Sequence, residues 1–85
     1  MSDNAGSAKE LPVMHKYIHF VKIADKAKTS VWSCRNNTGE YKIGIVKWNP
    51  GWRQYCFYPA SDMVFSRGCM DDISGFIRSM MEVRS

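Results

Sequence analysis

Apolar and polar positions alternate irregularly through the first two thirds of the chain and settle into a helical rhythm in the last. From His15 to Ile23 the β-formers Tyr17, Ile18, Phe20, Val21 and Ile23 cluster and predict a first strand. A polar link over residues 25–30 leads to a short second strand, Val31 to Arg35. Asn36-Asn-Thr-Gly39 reads as a turn, because Asn and Gly tolerate a positive φ. Glu40 to Trp48 is a third strand and Trp52 to Tyr58 a fourth, which Pro59 ends. Between them Asn49-Pro50-Gly51 predicts a tight turn in which Pro fixes one central φ and Gly takes the other. Links this short are those of hairpins, so strands two to four predict an antiparallel meander with the first strand beside the second.

The period then changes. Met70, Ile73, Phe76, Ile77, Met80 and Met81 recur at helical spacing, with Asp72, Gly75, Ser79 and Glu82 on the other side. Asp71 and Asp72 are expected in the first turn, where negative charge suits the helix dipole. Gly75 is costly at an exposed helical site, by about 1 kcal/mol relative to Ala. Residues 63–65 read as a short extended lead-in. The pattern is that of an α+β fold: a three- or four-stranded antiparallel sheet with one C-terminal amphipathic helix on a face. Residues 1–12 are small and polar and read as a flexible arm; residues 13–85 make the single domain.

One helix of about 14 residues is roughly 21 Å long and roughly 10 Å wide. A sheet of three or four strands measures roughly 14 to 19 Å across, so the helix shields one face only. On the third strand Tyr41, Ile43, Ile45 and Lys47 point one way and Lys42, Gly44, Val46 and Trp48 the other. On the fourth, Trp52, Gln54, Cys56 and Tyr58 oppose Arg53, Tyr55 and Phe57. Both faces carry large hydrophobes, which predicts an exposed patch, a dimer, or another partner.

Composition adds little that is specific. The net charge of +4 permits contact with phosphate or an acidic protein surface, and it equally suits solubility. The apolar fraction of 45% is that of a folded protein, and no apolar run nears the roughly 20 residues of a membrane span. Without a signal peptide, a cytoplasmic setting in a bacterial or phage-infected cell is expected, with Cys34, Cys56 and Cys69 reduced and used as small apolar residues. Cys69, near the expected start of the helix, is the one thiol whose position favours reactivity. His15 and His19, four apart on a strand, are separated by about 13 Å and do not share a metal. No zinc spacing, P-loop, H-E-x-x-H or G-x-S-x-G motif is present. Neither a catalytic residue, a metal nor a small-molecule cofactor is therefore expected, nor a membrane partner.

The residues that call for a role lie between Trp48 and Pro59, where five large aromatics occupy twelve positions around the Pro-Gly turn. Aromatics with arginine are the usual composition of a binding patch. The candidate partner-binding residues are Trp48, Trp52, Arg53, Tyr55, Tyr58, Lys47, Lys42 and Arg35. A protein partner or a second copy is favoured, because the basic residues are scattered among acids. Nucleic acid stays open, since rings stack bases and nearby cations hold phosphates. A small sheet backed by a helix also looks like AP2-type and integrase-arm DNA-binding domains in architecture.

Gly44-Ile-Val-Lys-Trp48, Trp52-Arg-Gln-Tyr-Cys-Phe-Tyr-Pro59, Val64-Phe65, Cys69-Met-Asp-Asp-Ile73 and Phe76-Ile77 together resemble a family of short bacterial and phage proteins. The resemblance spans residues of about 30 to 79 and is carried by Trp-Arg-Gln-Tyr-Cys-Phe followed by Asp-Ile-x-x-Phe-Ile. It implies an autonomous sheet-plus-helix unit and brings no catalytic residues with it. The family has no assigned activity, so the resemblance supplies no mechanism; small phage proteins of this size often act as stoichiometric inhibitors of a host enzyme or defence complex, and a phage- or mobile-element-like binding protein of that kind is the expectation.

Overall fold

A computed structural model describes residues 12–39 and 41–84. The arm expected over residues 1–12 lies, but for Pro12, outside them. Five strands follow one another: β1 (Val13–Met14), β2 (Ile18–Asp25), β3 (Ser30–Asn36), β4 (Lys42–Asn49) and β5 (Gln54–Pro59). They form one sheet in the order β1-β2-β3-β4-β5, each strand antiparallel to its neighbour in sequence. The helix α1 (Arg67–Arg84) follows the sheet. The architecture is thus α+β and a meander, with one strand more than expected. The additional strand is the two-residue β1, too short to leave a periodic signal, which pairs Val13 with Phe20 and Met14 with His19.

One face of the sheet carries Ile18, Phe20, Trp32, Cys34, Val46 and Tyr55, all buried, against Ile73 and Phe76 of α1. Phe20 and Phe76 lie ring on ring at 3.9 Å, and Trp32 meets Phe76 edge-on at 5.2 Å. Burying one such side chain stabilises by roughly 1.5–3 kcal/mol, so this three-ring contact is the centre of the domain. Ile43 joins the same core although alternation sets it on the opposite face. The register of β3 on β4 shifts between Cys34 and Arg35, and a bulge there turns one side chain inward. The polar groups drawn into the core are paired: Trp32 Nε1 donates to Ser30 Oγ at 2.8 Å, and Ser30 N–H donates to Tyr55 Oη at 3.1 Å.

α1 has 18 residues, longer than the expected 14 or so, because it starts earlier. Ser66 is its N-cap: Oγ accepts the Cys69 N–H at 3.2 Å, and its carbonyl accepts the Met70 N–H at 3.0 Å. No acidic residue then falls in the first turn, contrary to the reading of Asp71 and Asp72 as dipole partners. Asp72 ties the sheet to the helix instead. Its Oδ2 accepts the Tyr17 N–H at 3.0 Å, and its Oδ1 stands 4.0 Å from His15 Nδ1. Residues 63–66 form no strand. The helix runs from the end of the sheet holding Tyr17, against which Gly68 packs, toward the end holding Tyr55, beside Met81. Both the β2–β3 and β4–β5 connections lie at that second end.

Candidate functional site

The β4–β5 connection is built on Asn49. Its carbonyl accepts the Arg53 N–H at 2.7 Å, and its Oδ1 accepts the Trp52 N–H at 3.0 Å. Its Nδ2 donates to Tyr58 Oη at 3.0 Å, fastening the loop to β5. Asn49 pairs with Gln54, so the loop is the four residues between them rather than a two-residue turn. The left-handed residue is Arg53, with φ 57°, and not Gly51 as the Pro-Gly pair suggests. Asn49 therefore supports the turn through both its carbonyl and its side chain, and the ring of Trp52 stays outside, 71% exposed.

Beneath the loop, Lys47 Nζ sits 4.8 Å from the centre of the Tyr58 ring, a cation–π contact on the sheet face away from α1. Lys47, Trp48, Pro50 and Tyr58 line a concavity of about 340 Å³ with Lys26 and Thr29 of the β2–β3 hairpin. A second hollow of about 710 Å³ opens on the helix side of the same end, between Lys26, Lys28 and the terminal Met80 and Met81. The acids near this end are Asp25, which Lys22 holds at 3.2 Å, and Glu82 on α1. Asp62, Asp71 and Asp72 lie toward the other end, around the start of the helix. Lys26, Lys28, Lys47 and Arg53 thus lie at the sheet end that carries Trp52, while Arg35 and Lys42 share the other end with those acids.

The expected site residues do not all meet. Lys47, Trp48, Trp52, Arg53 and Tyr58 share the hairpin end. Arg35 and Lys42 face each other across β3 and β4 at the opposite end, about 17 Å away along the strand. Arg35 Nε is held there by Ser33 Oγ at 3.1 Å. Tyr55 is a core residue, 4% exposed, with its hydroxyl on Ser30 N–H and its ring edge-on to Trp48 at 5.5 Å. It points inward because α1 covers that face. Trp48, on the same face, is half-buried against the core. Lys26, Lys28 and Thr29 were not among the expected residues. The signal for them was the meander itself, which places alternate hairpins at one end.

The outer face carries Val21, Ser33, Arg35, Ile45, Lys47, Cys56 and Tyr58, with Tyr58 its one aromatic on β2 to β5. The aromatic excess therefore resolves into a covered inner face and an exposed turn, rather than two greasy faces.

His19 Nδ1 pairs with Asn37 Oδ1 at 2.8 Å, and His15 packs edge-on against Phe20 at 5.5 Å. Among the described residues no three of His, Cys, Asp and Glu gather as metal ligands. Cys34 is fully buried; that burial first, then the nearby Cys69 and Asp72, push its thiol up to about 12. Cys69 is half-buried in the first turn of α1, against the core. No helix among the described residues is long and apolar enough to cross a membrane.

No family model matches the chain, and no solved structure matches it. Over 70 residues it is 31% identical to the "Uncharacterized 9.3 kDa protein" of Acholeplasma phage L2. The match covers 81% of this chain and 90% of that protein.

Proposed function

Because the chain belongs to the same family as the 9.3 kDa protein of Acholeplasma phage L2, we propose that it is a small phage-type binding protein and not an enzyme. It engages an acidic protein surface through the hairpin end. The observation that carries this reading is Trp52, 71% exposed on a loop that Asn49 pins at three points, at the sheet end that also holds Arg53, Lys47 and Lys26. A loop whose backbone is already fixed loses little conformational freedom on binding, and aromatic–arginine pairs are where interface energy concentrates. The lysines around it form a cationic rim that speeds encounter with an acidic target. In a phage-type protein the target is a host protein, and occupying its acidic surface is enough to inhibit it.

Capture from host lysate on the immobilised full chain tests this reading. Trp52→Ala and Arg53→Ala, each folded, are expected to lose the captured protein. Retention by both variants would discard the hairpin end as the interface.

A second reading, nucleic acid on the same end, draws support from four cations at the sheet end that carries the exposed ring. It requires affinity for single-stranded or duplex probes that falls steeply with salt, as several phosphate contacts demand. Failure to bind any probe at low salt removes it.

A further inference from the structure

Among the described residues no further strand lies beside β5 and the groove along its edge is apolar, and one arrangement satisfies both. Ala60 N–H donates to the Ile43 carbonyl at 2.9 Å, which identifies Ile43 and Ala60 as a hydrogen-bonded pair. Such pairs alternate along an antiparallel ladder. The register then makes Tyr58, Cys56 and Gln54 the residues whose main chain bonds β4, and Tyr55, Phe57 and Pro59 those whose main chain points outward. Tyr55 N–H is met only by Met81 Sδ at 3.4 Å, a weak acceptor. Phe57 N–H and C=O have no partner among the described residues.

Edge strands are commonly guarded by charge, and Gln-Tyr-Cys-Phe-Tyr-Pro carries none. Along the same edge Phe57, Pro59, Phe65, Met70, Ile73 and Ile77 line a groove of about 450 Å³, with Ser74 at its rim. Val64, adjoining Phe65, is 91% exposed and Met70 is 54% exposed.

The geometry points to a two-fold dimer in which β5 pairs antiparallel with β5 of a second copy, centred on Phe57. Each Phe57 exchanges both main-chain bonds with its counterpart. Each Tyr55 N–H leaves the Met81 sulfur for the carbonyl of Pro59 in the other copy. The sheet becomes continuous through both copies, and the two helices lie side by side and antiparallel on one face of it. Their grooves then open onto each other and close into a shared apolar layer. Phe57 and Ser74 both line the groove, so each helix turns its Ser74 side toward the axis. There Asp71 of one helix lies opposite Arg78 of the other, which gives opposite charges on both sides of the axis. A second copy fits where an unrelated strand has no such match, because an uncharged strand and a +/− helix pair are complementary to themselves under a two-fold.

The dimer is centred on Phe57 and its groove includes no residue of the hairpin loop, so Trp52→Ala is expected to leave it intact and the two readings fail independently. Sedimentation of the full chain over a concentration series is expected to show a monomer–dimer equilibrium. In the dimer the Phe57 amide is protected from hydrogen exchange. Ser74→Glu sets two carboxylates face to face and is expected to weaken association at least about tenfold. Asp71→Arg weakens it, and adding Arg78→Asp restores it. These sites are exposed on α1, so folding is preserved and is checked by circular dichroism. A monomer at every concentration up to roughly 1 mM, a dimer indifferent to Ser74→Glu, or a dimer whose Phe57 amide still exchanges rapidly overturns the proposal. So does a monomer that accepts only an extended peptide at β5.

Discussion

Replacing Gly44 by Ala tests the inner packing where its tolerance is smallest. A Cβ at residue 44 would stand 2.4 Å from two ring carbons of Phe57 and 2.9 Å from the carbonyl oxygen of Tyr58. Ordinary carbon contacts lie at about 3.5–4.0 Å, so the ring must retreat by about 1 Å or more. Phe65 stands edge-on to that ring at 5.4 Å, and the oxygen belongs to the backbone of a paired strand. Overpacking of this kind costs about 1–3 kcal/mol, and the double contact places Gly44→Ala near 2. Without the clash the sign would be opposite, since Ala in place of a strand Gly stabilises by about 0.5–1 kcal/mol. Urea unfolding followed by tryptophan fluorescence reads the difference. With m about 1 kcal/mol/M for so small a domain, the midpoint falls by about 2 M. In a Phe57→Leu background the shorter side chain no longer reaches Gly44, and the penalty is expected to shrink by at least about 0.5 kcal/mol. A midpoint equal to or above that of the parent protein would refute the idea that Gly44 is there to admit Phe57.

Phe76→Ala removes the ring stacked on Phe20 and is expected to cost about 3–5 kcal/mol by thermal or urea unfolding; a loss under about 1 would show that the core closes without it. Gly75 is different, because a Cβ there meets nothing within 4 Å. Gly75→Ala is expected to stabilise by about 1 kcal/mol, and a destabilised variant would reveal a contact made outside this chain. The Cys34 thiol has an ordinary value of 9.0 and is pushed up to about 12 when folded. Above pH 9 the unfolded chain gives up a proton that the folded one keeps, so stability falls as pH rises through the window from 9 to 12. Cys34→Ala is expected to flatten that fall, and an unchanged slope would contradict it. Trp52→Ala should shift stability by less than about 0.5 kcal/mol, a fluorescence-independent check that the indole has no part in the core.

The hairpins and the helix were legible in the sequence because their signals are local. Asn36–Gly39 delivers its positive φ at Gly39, 88°, and the Ile73-Phe76-Ile77 spacing shows the covered side of α1. Less legible was whatever depends on atoms distant in sequence. Pro50-Gly51 suggests a two-residue turn, yet the side chain of Asn49 supports a longer one and moves the left-handed residue to Arg53. Asp71 and Asp72 suit a first helical turn, but Ser66 caps the helix earlier and Asp72 is drawn to Tyr17. For the site, local density counted Tyr55 with its neighbours, whereas the direction of its ring is set by α1. Alternation along β5 separates Tyr55 from Tyr58 but does not say which side is covered. The lysines of the β2–β3 hairpin join the site through topology alone.

The strand order has a bearing on how the protein is made. Each strand finds its mate in the segment synthesised just before it, so the ribbon can zip up in step with translation, and short-range pairing of this kind folds fast. The lid comes last: Phe20 and Trp32 lie bare on the ribbon until Phe76 has left the ribosome. A message cut short before the 18-residue α1 therefore yields a sticky partial product rather than a smaller working protein.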